Sequence, residues 1–166
     1  MDLIQLGLGR WLHVLAGVMW IGLLYYFNFV QVDALNAAAA DNSGAGITKH
    51  VAPRALLYFR WAAVVTFLAG VMNAGKHVLD VLLFLKPAYY AIGVGAWLGT
   101  IMLFNVWVLI WPNQKKILGI VPATDEEKGK ARRVAFLASR TNTALSIPML
   151  FFMTASGGVF RTVVFG

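Results

Sequence analysis

Arg10-Trp11-Leu12-His13-Val14-Leu15-Ala16-Gly17-Val18-Met19-Trp20-Ile21-Gly22 sets a histidine inside an apolar run that extends over residues 8–30. A bilayer span needs about 20 mostly apolar residues, and three further windows qualify, at about 56–79, 88–111 and 143–164. Of the 166 residues, 60% are hydrophobic and 13% charged, about half the charged share of a soluble domain. The windows predict an all-α fold, an integral membrane four-helix bundle forming a single transmembrane domain over 1–166. Nothing in the composition calls for a soluble domain.

The positions of the charges set the expected topology. Lys115, Lys116, Lys128, Lys130, Arg132, Arg133 and Arg140 cluster between the third and fourth windows, against only Asp125, Glu126 and Glu127. Basic loops stay on the cytoplasmic side, so both termini are expected to face outward. Because the basic residues flank spans, the net charge of +7 implies membrane lipid as a partner and no nucleic acid. Arg10, Lys76, Lys86 and Arg161 then fall near the outer face and raise the question of which anion they meet. The absence of cysteine excludes thiolate metal sites, iron–sulfur ligation and c-type haem attachment within this chain.

Local signals mark the connections. Ala37 to Ala40 followed by Asn42-Ser43-Gly44 lets the first helix run past the membrane before a turn breaks it. A short link around Lys76 to Pro87 makes the second and third spans an antiparallel hairpin. Thr124 and Glu127 have capping-box spacing, which predicts an amphipathic cytoplasmic helix over about 125–139 that runs into the fourth span, where Pro148 should bend it. Trp20-Ile21-Gly22 with Phe27-Asn28 is echoed by Trp97-Leu98-Gly99 with Phe104-Asn105 at a constant offset of 77. The echo raises the alternative of two repeated helical hairpins, in which His13 aligns with Tyr90.

An ionisable side chain within a span usually pairs, ligates or lines a pathway, so His13 is the first functional candidate. Gly17 and Trp20 share its helical face and Arg10 lies one turn outward. On the second span Gly70, Asn73 and His77 share a face, which is expected to bring His77 to a depth near that of His13. Two imidazoles at matched depth are what haem b requires, with His13 and His77 on the iron, Gly17 and Gly70 leaving room for a flat group, and Arg10 near its propionates. The alternative is structural: His13 bonds a backbone carbonyl or an asparagine across a helix interface, and His77 sits in the headgroup region. Asn28 and Asn105 could join helices through their amides. Arg140 followed by Thr141-Asn142, like Arg60, either snorkels to the cytoplasmic face or binds an anionic ligand. Trp11, Trp107 and Trp111 fit an interfacial belt.

Three segments, residues 10–22, Asn105 to Lys116, and Ser139 to Met149, resemble in order the motifs of the bacterial membrane-anchored urate hydroxylase (PuuD) family. The first segment is also similar, more distantly, to HemJ-type oxidases and copper-resistance membrane proteins. The resemblance implies oxidation of urate, an inner-membrane location with periplasmic termini, and electrons passed to a cytochrome c. His13, as ligand or base, is the expected catalytic residue, and Arg140, Asn142 and Asn105 are the expected substrate contacts. A homodimer would restore the larger helical body of full-length family members. The competing expectation is a non-catalytic small subunit or assembly factor of a respiratory membrane complex; a transporter is less favoured because no intramembrane carboxylate appears in the spans.

Overall fold

A computed structural model describes residues 3–155. The described residues are all-helical and form four rods. The first joins α1 (Leu3–Tyr25), a π turn (Tyr26–Gln31) and α2 (Val32–Ala38). The second joins a π turn (Ile47–Val51), α3 (Ala52–Ala74), a 3₁₀ turn (Gly75–His77) and α4 (Val78–Leu82). The third follows a 3₁₀ turn (Pro87–Tyr89) with α5 (Tyr90–Phe104), a π turn (Asn105–Ile110) and α6 (Trp111–Ile117). The fourth is α7 (Asp125–Ala155).

Three of these rods, Gly7–Ala38, Ile47–Leu82 and Pro87–Ile117, are long and apolar enough to cross a membrane. The expected fourth span, residues 143–164, lies within the described residues only as far as Ala155. Its described part belongs to α7, whose first turns carry Asp125, Glu126 and Glu127. The capping box closes as expected: the Thr124 backbone N–H donates to Glu127 Oε2 at 2.8 Å, and the Glu127 N–H donates to Thr124 Oγ1 at 3.2 Å. From there α7 stays helical through Pro148. The first rod likewise overruns its apolar window, ending only at Ala38.

Chain order decides the packing. The first rod lies along the second, and the third along the fourth, as two antiparallel hairpins. The second-to-third link is tighter than its sequence window implied, because α4 continues to Leu82 after Gly75 takes a positive φ of 50°. Gly75 supplies at no steric cost a conformation that a side chain would resist. Along α7, Ala131, Ala135, Ala138, Asn142, Ser146 and Met149 are buried, a seam at steps of three or four residues. Small side chains on that seam let the third rod approach, and Gly95 does the same from the other side, lying against Met153. Gly99 faces open space, so only one glycine of the Gly95-x-x-x-Gly99 pattern serves close packing.

The core runs through Trp20, Leu24, Phe59, Ala63, Met102, Val106 and Met149, drawing on all four rods. Lipid has no hydrophobic drive to push such helices together, so polar contacts and close packing hold their register. Leu8, Val18, Leu68, Leu79 and Ile147 stand exposed on the outside. That is the expected dress of a bundle whose solvent is hydrocarbon.

Candidate functional site

His13 is half-buried on the face of α1 that meets α3. Its Nδ1 lies 2.8 Å from the Thr66 carbonyl oxygen. A carbonyl only accepts, so Nδ1 carries the proton and donates it. In the neutral ring Nε2 is then left with its lone pair, as a proton acceptor. Thr66 is buried and its own hydroxyl donates to the Ala62 carbonyl at 2.7 Å, which holds its side chain on α3. Gly70 lets the ring seat: a Cβ there would stand 3.1 Å from His13 Cε1 and 3.3 Å from Nδ1.

Gly17 faces the Thr66 methyl, and Gly9 faces the Asn73 amide, whose Oδ1 is buried with no hydrogen-bond partner. These small residues therefore close the α1–α3 interface around the imidazole. The expected slot for a flat group beside Gly17 and Gly70 is filled by the neighbouring helix. Arg10 is exposed one turn outward.

His77 sits elsewhere. The antiparallel register sets Gly9 against Asn73 and His13 against Gly70, so His77 falls about two helical turns, roughly 11 Å, from His13 toward the N-terminal end of α1. Its Nδ1 lies 3.1 Å from Asp80 Oδ2, and its ring packs on Tyr89 with centroids 5.3 Å apart. Lys86 Nζ donates to the same carboxylate oxygen at 2.8 Å, a contact that raises the Lys86 pKa above its ordinary value. Asp80 is thus the anion that one of the basic residues asked about, Lys86, meets, and it engages His77 as well. A haem held between His13 and His77 does not fit this arrangement, since the rings lie at different levels and are engaged by different partners. Among the described residues no group of three or more His, Asp or Glu is placed to hold a metal ion.

A second polar cluster lies on the α7 seam. Asn28 Nδ2 donates to the Leu24 carbonyl at 2.8 Å and to Ser139 Oγ at 2.7 Å. Asn105 Nδ2 donates to Asn142 Oδ1 at 2.8 Å, and Asn142 Nδ2 to the Met102 carbonyl at 3.0 Å. Tyr25 and Ser146 hydroxyls are 2.9 Å apart. The two echoed asparagines do not bond each other; both reach the fourth rod. Each also sits in a π turn, where the shifted ladder frees backbone carbonyls for side-chain donors.

Asn142 is fully buried, and its amide oxygen and nitrogen both have protein partners. The expected substrate contacts Asn105 and Asn142 are therefore committed to one another. Arg140 is exposed, its guanidinium 5.2 Å from the Phe136 ring centroid. The sequence reading missed Ser139 and Ser146 as partners, although with Asn142 they fall at helical spacing on one face. Arg60 packs over Trp111 at 3.8 Å, and Trp107 lies edge-on to Trp61, so the tryptophans of the third rod form contacts beyond an interfacial belt.

An open cleft lined by Val18, Met19, Gly22, Leu23 and Tyr58 is almost wholly apolar. Of the lining side chains only Tyr58 carries a polar group.

The family model described as urate oxidase N-terminal matches residues 78–160. The matched stretch begins at α4 and takes in the third rod and α7, including the Asn105–Asn142 pair. No curated protein and no solved structure matches the chain.

Proposed function

The chain belongs to the urate oxidase N-terminal family, and from that premise we propose that it is the membrane-embedded helical part of a urate-oxidising system in a bacterial inner membrane, with both termini periplasmic. The observation that carries this reading is the family match over the second hairpin, residues 78–160, joined to helices able to cross a membrane. The reaction converts urate and water to 5-hydroxyisourate, releasing two protons and two electrons. A separate cytochrome c takes the electrons. His13 is the base: its Nδ1–H is spent on Thr66, so its Nε2 is the atom that accepts a proton. Arg10, one turn outward and exposed, supplies a cation for the urate anion.

Membranes carrying the chain should reduce added cytochrome c when urate is supplied, and product should appear with the stoichiometry of two electrons per urate. Urate-independent reduction, or none, would sink the reading.

One observation favours a second reading, that the chain is a non-catalytic subunit of a larger membrane complex. The cleft at Gly22 and Tyr58 is open and almost wholly apolar, a surface that a neighbouring membrane helix can cover. That reading expects stable co-purification with a larger membrane protein and no urate-dependent electron transfer by the chain alone. A second copy of the chain as that neighbour would instead restore activity on its own as a homodimer.

A further inference from the structure

Arg60 lies within the second membrane-crossing rod, Ile47–Leu82, yet no carboxylate pairs with it among the described residues. Lys86, Lys116, Lys128 and Lys130 each meet an Asp or Glu. Arg60 instead rests its guanidinium carbon 3.8 Å from the centroid of the Trp111 ring, and Lys115 brings its Nζ to within 6.0 Å of the same ring. Lys115 also lacks a carboxylate partner among the described residues.

Two cations thus converge on one indole with no acid between them. A ring face attracts a cation, but it accepts none of the five guanidinium N–H donors in the plane of the fork. Those donors have no protein acceptor among the described residues. Arg60 is only half-buried, so its fork is open to an acceptor from outside the chain.

The geometry points to a binding site for a phosphate group held by Arg60 and Lys115 against Trp111, and its natural source is the headgroup of an anionic phospholipid. Phosphate oxygens match the guanidinium fork, while an ammonium contributes a point charge. The surroundings fit a lipid's remainder. Leu57 and Trp61 on α3, and Phe104 and Val108 on the third rod, are exposed apolar side chains close in sequence to the two anchors, where acyl chains can lie. Trp61 and Trp107 meet edge-on with centroids 5.6 Å apart, which holds the two rods together below the site.

The test uses the full chain in nanodiscs of phosphatidylcholine with graded phosphatidylglycerol, reading retained lipid by native mass spectrometry. Each surface cation contributes about 1 kcal/mol toward anionic lipid, so Arg60→Gln and Lys115→Gln should each weaken phosphatidylglycerol retention by about fivefold, and the double variant by about thirtyfold. Lys130→Gln, whose side chain pairs with Glu126, should change nothing. Arg60→Lys keeps the charge without the fork and should fall between wild type and Arg60→Gln. Wild-type retention in the double variant, or no preference for phosphatidylglycerol over phosphatidylcholine in the wild type, would overturn the site. Inorganic phosphate decides the source: displacement of the lipid at millimolar concentration assigns the site to free phosphate, and its failure to displace assigns it to lipid.

Discussion

The imidazole of His13 donates through Nδ1 to the carbonyl oxygen of Thr66 at 2.8 Å, across the interface of the first two rods. Under the proposed function, one ring has two separable jobs, joining helices through Nδ1 and taking a proton through Nε2. Asparagine separates them, because its amide nitrogen can donate as Nδ1 does while nothing replaces Nε2. His13→Asn should keep the thermal stability of the wild type to within about 1 kcal/mol while lowering urate-dependent cytochrome c reduction by about 10²-fold or more, the usual worth of a general base. Equal activity in His13→Asn would leave the histidine a purely structural role.

Gly70 controls how closely the ring can seat. A Cβ at that position meets Cε1 at 3.1 Å, so Gly70→Ala must push the imidazole by a few tenths of an ångström or part the helices. Overpacking of this kind costs about 1–3 kcal/mol. Gly99, with open space around it, is the matched control: Gly99→Ala should be neutral or mildly stabilising. Melting temperatures in one detergent compare the two.

Asn142 is fully buried on the α7 seam and bonded through both atoms of its amide. Asn142→Ala leaves Asn105 without its acceptor and the Met102 carbonyl without its side-chain donor, an expected loss of about 1–3 kcal/mol. Asn28→Ala should cost less, about 1 kcal/mol, because only one of its two bonds crosses to another helix and its loss strands no buried amide. Denaturant unfolding of both variants checks the order.

At the start of α7, Thr124→Ala removes the hydroxyl that accepts the Glu127 N–H and should cost about 1 kcal/mol. Bonding to the Thr124 backbone and proximity to Lys116 hold the Glu127 carboxyl below its ordinary value of 4.5. A carboxylate with a lowered folded pKa stabilises above its unfolded value, and the contribution disappears as pH falls through the folded one. Glu127→Gln should therefore flatten the loss of α7 protection in hydrogen exchange as pH drops below 4.5.

Signals confined to a short stretch of chain were legible in advance. Three of the four apolar windows, the Thr124–Glu127 box and the overrun of the first helix past Val30 all follow from patterns among near neighbours in the chain. His13 stood out from its setting alone, and one of its two expected roles, a bond to a backbone carbonyl across a helix interface, is the contact present. What failed was register. Helical faces placed Gly70 and His77 on one side of the second rod, but pattern alone cannot fix how far one helix slides along another, and Gly9 against Asn73 puts His77 nearer the N-terminal end of α1 than His13. The same limit hid the partners of Asn28 and Asn105. Their echo invited pairing with each other, whereas the α7 seam, made of small side chains with weak hydropathic signal, takes both.

The seam on α7 also imposes a schedule on biosynthesis. Asn28, Tyr25 and Asn105 leave the ribosome before Ser139, Asn142 and Ser146, the side chains that receive or supply their hydrogens. Until the last rod packs on, Asn105 and the Tyr25 hydroxyl lack these partners, and Asn28 keeps only the Leu24 carbonyl of its own helix. The fourth rod is therefore the clasp of the assembly, and a nascent chain halted before residue 139 presents the membrane quality-control machinery with polar groups that a finished one conceals.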